Sequence, residues 1–205
     1  MAYDGTSKVG KRPKSMMPPI KPGAVLGKFH GPIIETERLI LRPWRSSDIA
    51  SNTRMLSDPG TARFITPDRK AVTEELTGWR NAAIISGHWA LHGFGMFAVE
   101  EKSSRQYAGR VGPWFPPTWP GFEVGWGIAR ELRGRGYAVE AARAAIDWVF
   151  ATFEIEEVIH CISPENLASQ AVARRLGARI AGETEMSGDT VDIWVTARNG
   201  WLRQN

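Results

Sequence analysis

Phe122-Glu123-Val124-Gly125-Trp126-Gly127-Ile128 alternates large apolar side chains with one carboxylate and two glycines. That is the period of a strand packed on one face. The other face, running from Glu123 through Gly125 and Gly127, is expected to be bare backbone that another molecule can lie against. Arg133-Gly134-Arg135-Gly136-Tyr137-Ala138 follows, and then Val139, Ala142, Ile146, Val149 and Phe150 recur at helical spacing. The glycines permit a tight turn, the arginines add positive charge, and the helix start offers unpaired N–H donors. A groove with a phosphate cradle at one end and a carboxylate at the other is the expected result.

Upstream, residues 37–44 alternate as a first strand, and Ser46-Ser47-Asp48 supplies capping residues for a short helix ending near Ser57, before Pro59. A second helix is expected over 72–85, and strands over 95–100 and 107–114. A stiff loop over 115–121, with three prolines, leads into the Glu123 strand. Downstream, a strand over 157–162 precedes a helix over 166–176 stopped by Gly177. A hairpin of 179–184 and 190–196 turns around Ser187-Gly188-Asp189. The order β-α-α-β-β-β-α-β-α-β-β describes one α/β domain over 33–205, a mixed sheet covered by helices.

At 205 residues the chain is long enough for one well-packed domain, and 42% hydrophobic with 23% charged residues is ordinary for a globular protein. Residues 1–32 read as a flexible basic extension carrying +5 of the total +4, so the remainder is near −1. No domain-wide basic face is expected, and nucleic-acid binding is expected only if that tail provides it. The single Cys161 excludes an internal disulfide framework and a cysteine-based zinc site. No membrane span or secretory signal is visible, and a cytoplasmic location is expected.

Arg133-Gly134-Arg135-Gly136-Tyr137-Ala138 fits the Arg/Gln-x-x-Gly-x-Gly/Ala signature, and the chain resembles the GNAT superfamily of N-acetyltransferases. It is most similar to the RimJ/RimL-like branch, through Thr36-Glu37-Arg38-Leu39-Ile40-Leu41-Arg42-Pro43-Trp44, Glu123-Val124-Gly125-Trp126, and Asn166, Ser169, Val172, Ala173, Leu176 and Gly177. The resemblance implies a GNAT-like α/β fold, with a mixed, largely antiparallel sheet and a splayed central strand pair. It implies acetyl-CoA as co-substrate, no metal, and acetyl transfer to a primary amine, on a small molecule or a protein N-terminus, in a ternary complex. The diphosphate would rest on the amides of Gly134, Arg135, Gly136, Tyr137 and Ala138 beside Arg133. The pantetheine arm would pair along Trp126, Gly127 and Ile128 and touch Asn166. A homodimer is left open, and a catalytically weak CoA-binding module is the competing reading.

Each candidate also has a structural explanation. Glu123 is either a solvated strand residue or a general base shielded by Trp114, Phe115 and Trp119. Asn166 reads first as a helix N-cap. Where many GNAT enzymes place a tyrosine that protonates the leaving thiolate, this chain has Ala173. The resemblance assigns that task to Ser169, whose alternative is a small helix residue facing the sheet. His88 and His92 read as loop histidines, and Cys161 as a small buried apolar residue. Trp114, Phe115, Trp119 and Phe122 are either packing around the proline loop or one wall of an acceptor site.

Overall fold

A computed structural model describes residues 21–23, 27 and 30–203. Most of the basic extension expected over 1–32 therefore lies outside the described residues. The chain opens with two short strands, β1 (Ile34–Glu35) and β2 (Leu39–Arg42). Three helices follow: α1 (Asp48–Ser57), α2 (Pro59–Ile65) and α3 (Glu75–His92). Next come β3 (Phe97–Glu101), β4 (Tyr107–Trp114) and β5 (Glu123–Ile128). A 3-10 turn (Arg130–Leu132) leads into α4 (Tyr137–Thr152). The chain continues through β6 (Glu157–Ile162), α5 (Leu167–Arg175), β7 (Arg179–Met186), β8 (Asp189–Ala197) and α6 (Arg198–Trp201).

The eight strands form one sheet in the order β1-β2-β3-β4-β5-β6-β8-β7. Every neighbouring pair is antiparallel except β5 and β6, which are parallel and joined by the α4 crossover. Helix α4 buries Tyr137, Ala141, Ala142, Ala145, Ile146, Val149 and Phe150, a stripe at three- and four-residue spacing. That stripe meets Leu39, Leu41, Phe97, Val99, Val111 and Val124 in the main core. Helices α1 and α2 and the first part of α3 cover the opposite face, where Met55, Leu56, Val72 and Ala129 form a second cluster with Ile65 and Tyr107; the end of α3 carries Ile85 and Trp89 into the main core.

Several expectations need correction. Helix α1 ends at Ser57 as expected, but a further helix, α2, was not expected; Pro59 stands at its first turn, where its missing N–H has no intrahelical partner to lose. Helix α3 runs on to His92 and stops at Gly93, whose φ is +75°. His88 and His92 are thus helical rather than loop residues. Ser47 precedes α1 without a capping side-chain bond. Asp48 has a larger task, accepting from Arg42 Nη1 and Nη2 (2.8 and 2.9 Å) and from the Arg45 N–H (2.7 Å). Arg42 Nε also binds Glu100 (2.8 Å), so a buried ion cluster ties α1 to the sheet.

Candidate active site

The parallel seam between β5 and β6 is one rung long. Ile159 N–H donates to the Phe122 carbonyl (3.0 Å), and the register ends at Glu123 opposite Ile159. Side chains take the next positions. Cys161 N–H donates to Glu123 Oε1 (3.2 Å) instead of to the strand backbone, and the Val124 carbonyl accepts from His160 Nδ1 (2.7 Å). A carbonyl can only accept, so Nδ1 carries the imidazole hydrogen, and Nε2 accepts from the Thr196 hydroxyl (3.0 Å). His160 is 1% exposed, and burial pushes its pKa down to about 4, which keeps the ring neutral. Glu123 and His160 together wedge the two strands apart.

Beyond the wedge, Trp126 has no partner on β6 in the strand register. Backbone groups of alternate residues point to the same side of a strand. Phe122 and Val124 point theirs at β6, so Trp126 and Ile128 do the same. The Ile128 carbonyl is already used, accepting from Arg133 Nε (3.0 Å). The edge left at the seam is centred on Trp126.

The bare strand face expected at Gly125 and Gly127 is not bare. A Cβ at Gly125 would stand 2.7 Å from Met96 Cε, and one at Gly127 would stand 2.8 Å from Ile65 Cδ1. These glycines admit the protein's own side chains, and a ligand is offered the strand edge instead.

Glu123 is 8% exposed, on the face covered by α1 to α3. Trp119 Nε1 donates to its Oε2 at 2.6 Å. Burial outweighs that bond and the one from Cys161 and pushes its pKa up to about 7. Of the aromatics expected to shield it, only Trp119 bonds to it. Trp114 stacks on His88 with centroids 4.6 Å apart, while Phe115 and Phe122 pack together at 5.9 Å. His88 bonds the Phe94 carbonyl through Nδ1 (2.7 Å) and accepts from the Phe115 N–H (3.4 Å), a structural assignment. Burial and the neighbouring Glu123 push the Cys161 thiol pKa up, which makes it a poor nucleophile.

Trp126 leaves β5 on the face opposite Glu123. Its indole lies 4.9 Å from the His160 ring, and its Nε1 donates to Ser169 Oγ (3.2 Å). Accepting that bond leaves the Ser169 hydrogen free to be donated elsewhere. Asn166 caps α5, its Oδ1 accepting from the Ser169 N–H (3.1 Å). Ala173 is fully buried in a small cluster with Ile162, Ala178 and Trp194. Glu123 and Ser169 therefore flank the seam from opposite faces.

In the glycine loop, Gly134 and Gly136 have φ of +76° and +83°, and Gly136 precedes α4 directly. Among the described residues, the N–H groups of Gly134, Arg135, Gly136, Tyr137 and Ala138 meet no acceptor outside the helix pattern. The arginines point away from them. Arg133 reaches Thr61 and lies 3.8 Å from Asp58, and Arg135 lies 3.4 Å from Glu101, which also accepts from the Tyr137 hydroxyl. Arg38 fixes the loop from outside, donating to the Arg135 carbonyl (2.9 Å) and pairing with Glu140 (2.6 Å). Five free amides at the head of a 16-residue helix suit a diphosphate. Among the described residues, no group of three or more His, Cys, Asp or Glu side chains could hold a metal ion. No helix among them is long and apolar enough to cross a membrane.

One residue here escaped the sequence reading: His160 was legible only as a histidine inside an apolar run.

The family model for the acetyltransferase (GNAT) domain matches residues 38–179. A Bacillus subtilis protein described as uncharacterized, YkkB, is 30% identical over 146 residues, spanning 69% of this chain and 82% of its own. Among solved structures, an acetyltransferase from Agrobacterium tumefaciens superposes with a TM-score of 0.72 at 26% identity, covering 86% of this chain and all of the other. Mycobacterium smegmatis RimJ in complex with CoA-disulfide shares the fold, with a TM-score of 0.63 at 21% identity over 79% of this chain and 83% of its own.

Proposed function

This chain belongs to the GNAT acetyltransferase family, which uses acetyl-CoA, and from that premise we propose direct transfer to a primary amine at the β5–β6 seam. The observation that carries the reading is the seam itself, held open after one rung by Glu123 and His160, beside five unclaimed loop amides. Acetyl-CoA supplies an acetyl group already activated as a thioester. The amides of residues 134–138 hold its diphosphate, and the Trp126 edge, with Asn166 nearby, holds its arm.

Glu123 accepts the proton that the acceptor amine must shed. A carboxylate with a pKa of about 7 is matched to an α-amino group of about 7.7–8.0. Trp119 and Cys161 N–H orient it. The Trp126 N–H, facing the seam, supports negative charge on the carbonyl oxygen during attack. Ser169, polarised by the Trp126 indole, donates its hydrogen to the departing sulfur from the other face, the task a tyrosine at Ala173 would have performed. The acceptor is an amine of a small molecule or of a protein N-terminus.

Thiol release from acetyl-CoA with a panel of amines, read against pH, tests this. The wild-type kcat/KM should rise through an apparent pKa near 7. Glu123→Gln should lose that limb and fall by roughly 10²- to 10⁴-fold. CoA binding without turnover on any amine, indifferent to Glu123→Gln, would leave a CoA-binding module instead.

A further inference from the structure

Arg110, on β4, is 7% exposed, and its side chain leaves the sheet on the Glu123 face, opposite Gly127. Nη1 donates to Asn81 Oδ1 (2.8 Å). Asn81 Oδ1 also accepts from Asn52 Nδ2 (3.0 Å), whose own oxygen accepts from the Tyr107 hydroxyl (3.1 Å). Every group in this network is neutral except the guanidinium. Nε and Nη2 find no acceptor among the described residues, and none of their carboxylates forms an ion pair with Arg110.

Arg42 shows how the same fold treats a buried arginine it uses structurally. That residue has Asp48 and Glu100 as counter-charges. A cation this nearly buried is costly without a counter-charge, and the Nε and Nη2 that Arg110 leaves unbonded keep access to water, where an anionic ligand can reach them. Burial pushes the Arg110 pKa below the usual arginine range, with only Tyr107 opposing.

The β5 face between Arg110 and Glu123 is buried under apolar side chains. Met96 covers Gly125, and Ile65 and Met55 cover Gly127. A ligand that reaches Arg110 from Glu123 has to displace these side-chain tips. Four residues of strand separate Glu123 from Gly127, a distance of about 13 Å between their Cα atoms. A base at one end, a cation without a counter-charge at the other, and methyl groups between them describe a ligand with complementary ends.

We propose that Arg110, oriented by Asn81, receives a carboxylate of the acceptor, so that the substrate is a primary amine carrying an anion several bonds away. This rests on Glu123 being the amine end, as proposed above. An α-amino acid is too short to span the two groups. An ω-amino acid, or a peptide N-terminus with an acidic residue close behind it, has the required reach.

The test uses the full chain, acetyl-CoA and matched acceptors. ω-Amino acids of graded length are compared with their methylamides, and peptide amides with N-terminal glycine followed closely by Glu with the same peptides carrying Gln. The two arms separate a small-molecule acceptor from a protein N-terminus. Wild type should favour the acidic member of a pair by roughly 10- to 100-fold in kcat/KM, and Arg110→Gln should bring that ratio close to one, mainly through KM. Equal kcat/KM within every wild-type pair overturns the proposal while leaving acetyl transfer intact.

A second readout needs no turnover. With CoA present, the acid should raise the wild-type melting temperature and its methylamide should not. Arg110→Met should melt no lower than wild type without acceptor, because it removes an unpaired charge, and should lose the shift from the acid. A structural arginine would instead lower the melting temperature when replaced, and that result overturns the proposal. If no amine releases thiol, the transfer reading fails, and the acid-specific shift in wild type alone decides for or against the Arg110 site. The wild-type comparisons stand even if neither variant folds.

Discussion

Glu123 and His160 are buried at the seam on opposite faces of the sheet, with displaced pKa values of opposite consequence. Glu123 binds its proton more tightly in the folded state, at about 7 against roughly 4.3 in an unfolded chain. The stability it contributes is complete below the unfolded value and is lost as pH rises through 7, on the order of 3 kcal/mol. His160 falls to about 4 from an ordinary 6.5. Its contribution is complete above 6.5 and is lost as pH falls through 4, again on the order of 3 kcal/mol. Between about pH 4.5 and 6.5 the two slopes oppose each other, and wild-type stability should be nearly flat there. Urea unfolding at stepped pH checks this. Glu123→Gln should expose a loss toward acid, and His160→Asn a loss toward neutral pH. Two variants whose curves run parallel to wild type would remove the displaced values from the account.

At the scale of elements, the seam depends on His160 holding the Val124 carbonyl away from Cys161 N–H. In His160→Ala that carbonyl is freed, and β6 can extend its ladder by another rung, pairing the Trp126 N–H. Hydrogen exchange at the Trp126 amide should then slow in the absence of CoA, and CoA affinity should fall roughly tenfold or more. His160→Gln, which still carries a donor, should restore part of both. An unchanged Trp126 exchange rate in a folded His160→Ala variant would show that something else opens the strands. The bounds of β4 and β6, strands buried along most of their length, were read residue for residue. Helix α2 was not, because a proline reads as a terminator unless the chain restarts a helix at that very residue, as it does at Pro59. The glycines of β5 were legible as positions without side chains. That Met96, just before β3, and Ile65 of α2 would fill them depends on segments distant in sequence, which no local period reveals. Glu123 was legible as a candidate base; its wedge partner was not, since a histidine in an apolar strand carries no mark of the carbonyl it will meet.

Taken as a whole, the sheet is two blocks, β1 to β5 and β6 to β8, sharing one backbone rung and the helices α4 and α5 that pack across it. The first block is anchored by the buried Arg42, Asp48 and Glu100 cluster. Arg42→Met would leave the buried Asp48 without its counter-charge, while Glu100 keeps Arg45 and Arg105, and should cost about 3–5 kcal/mol, measurable by urea unfolding at pH 7. A loss under 1 kcal/mol would mean that water or a shifted neighbour takes over the pairing of Asp48. Among the described residues no buried ion cluster spans the two blocks; only the exposed pairs Arg63–Glu165 and Arg69–Asp189 cross between them. A molecule that settles between them supplies part of their cohesion, and at a hundredfold excess over its dissociation constant it adds about 2.7 kcal/mol to folding. Inside a cell, the lifetime of this protein against proteases should therefore follow the supply of CoA thioesters: starved of carbon, the population would thin by turnover before any regulator intervened.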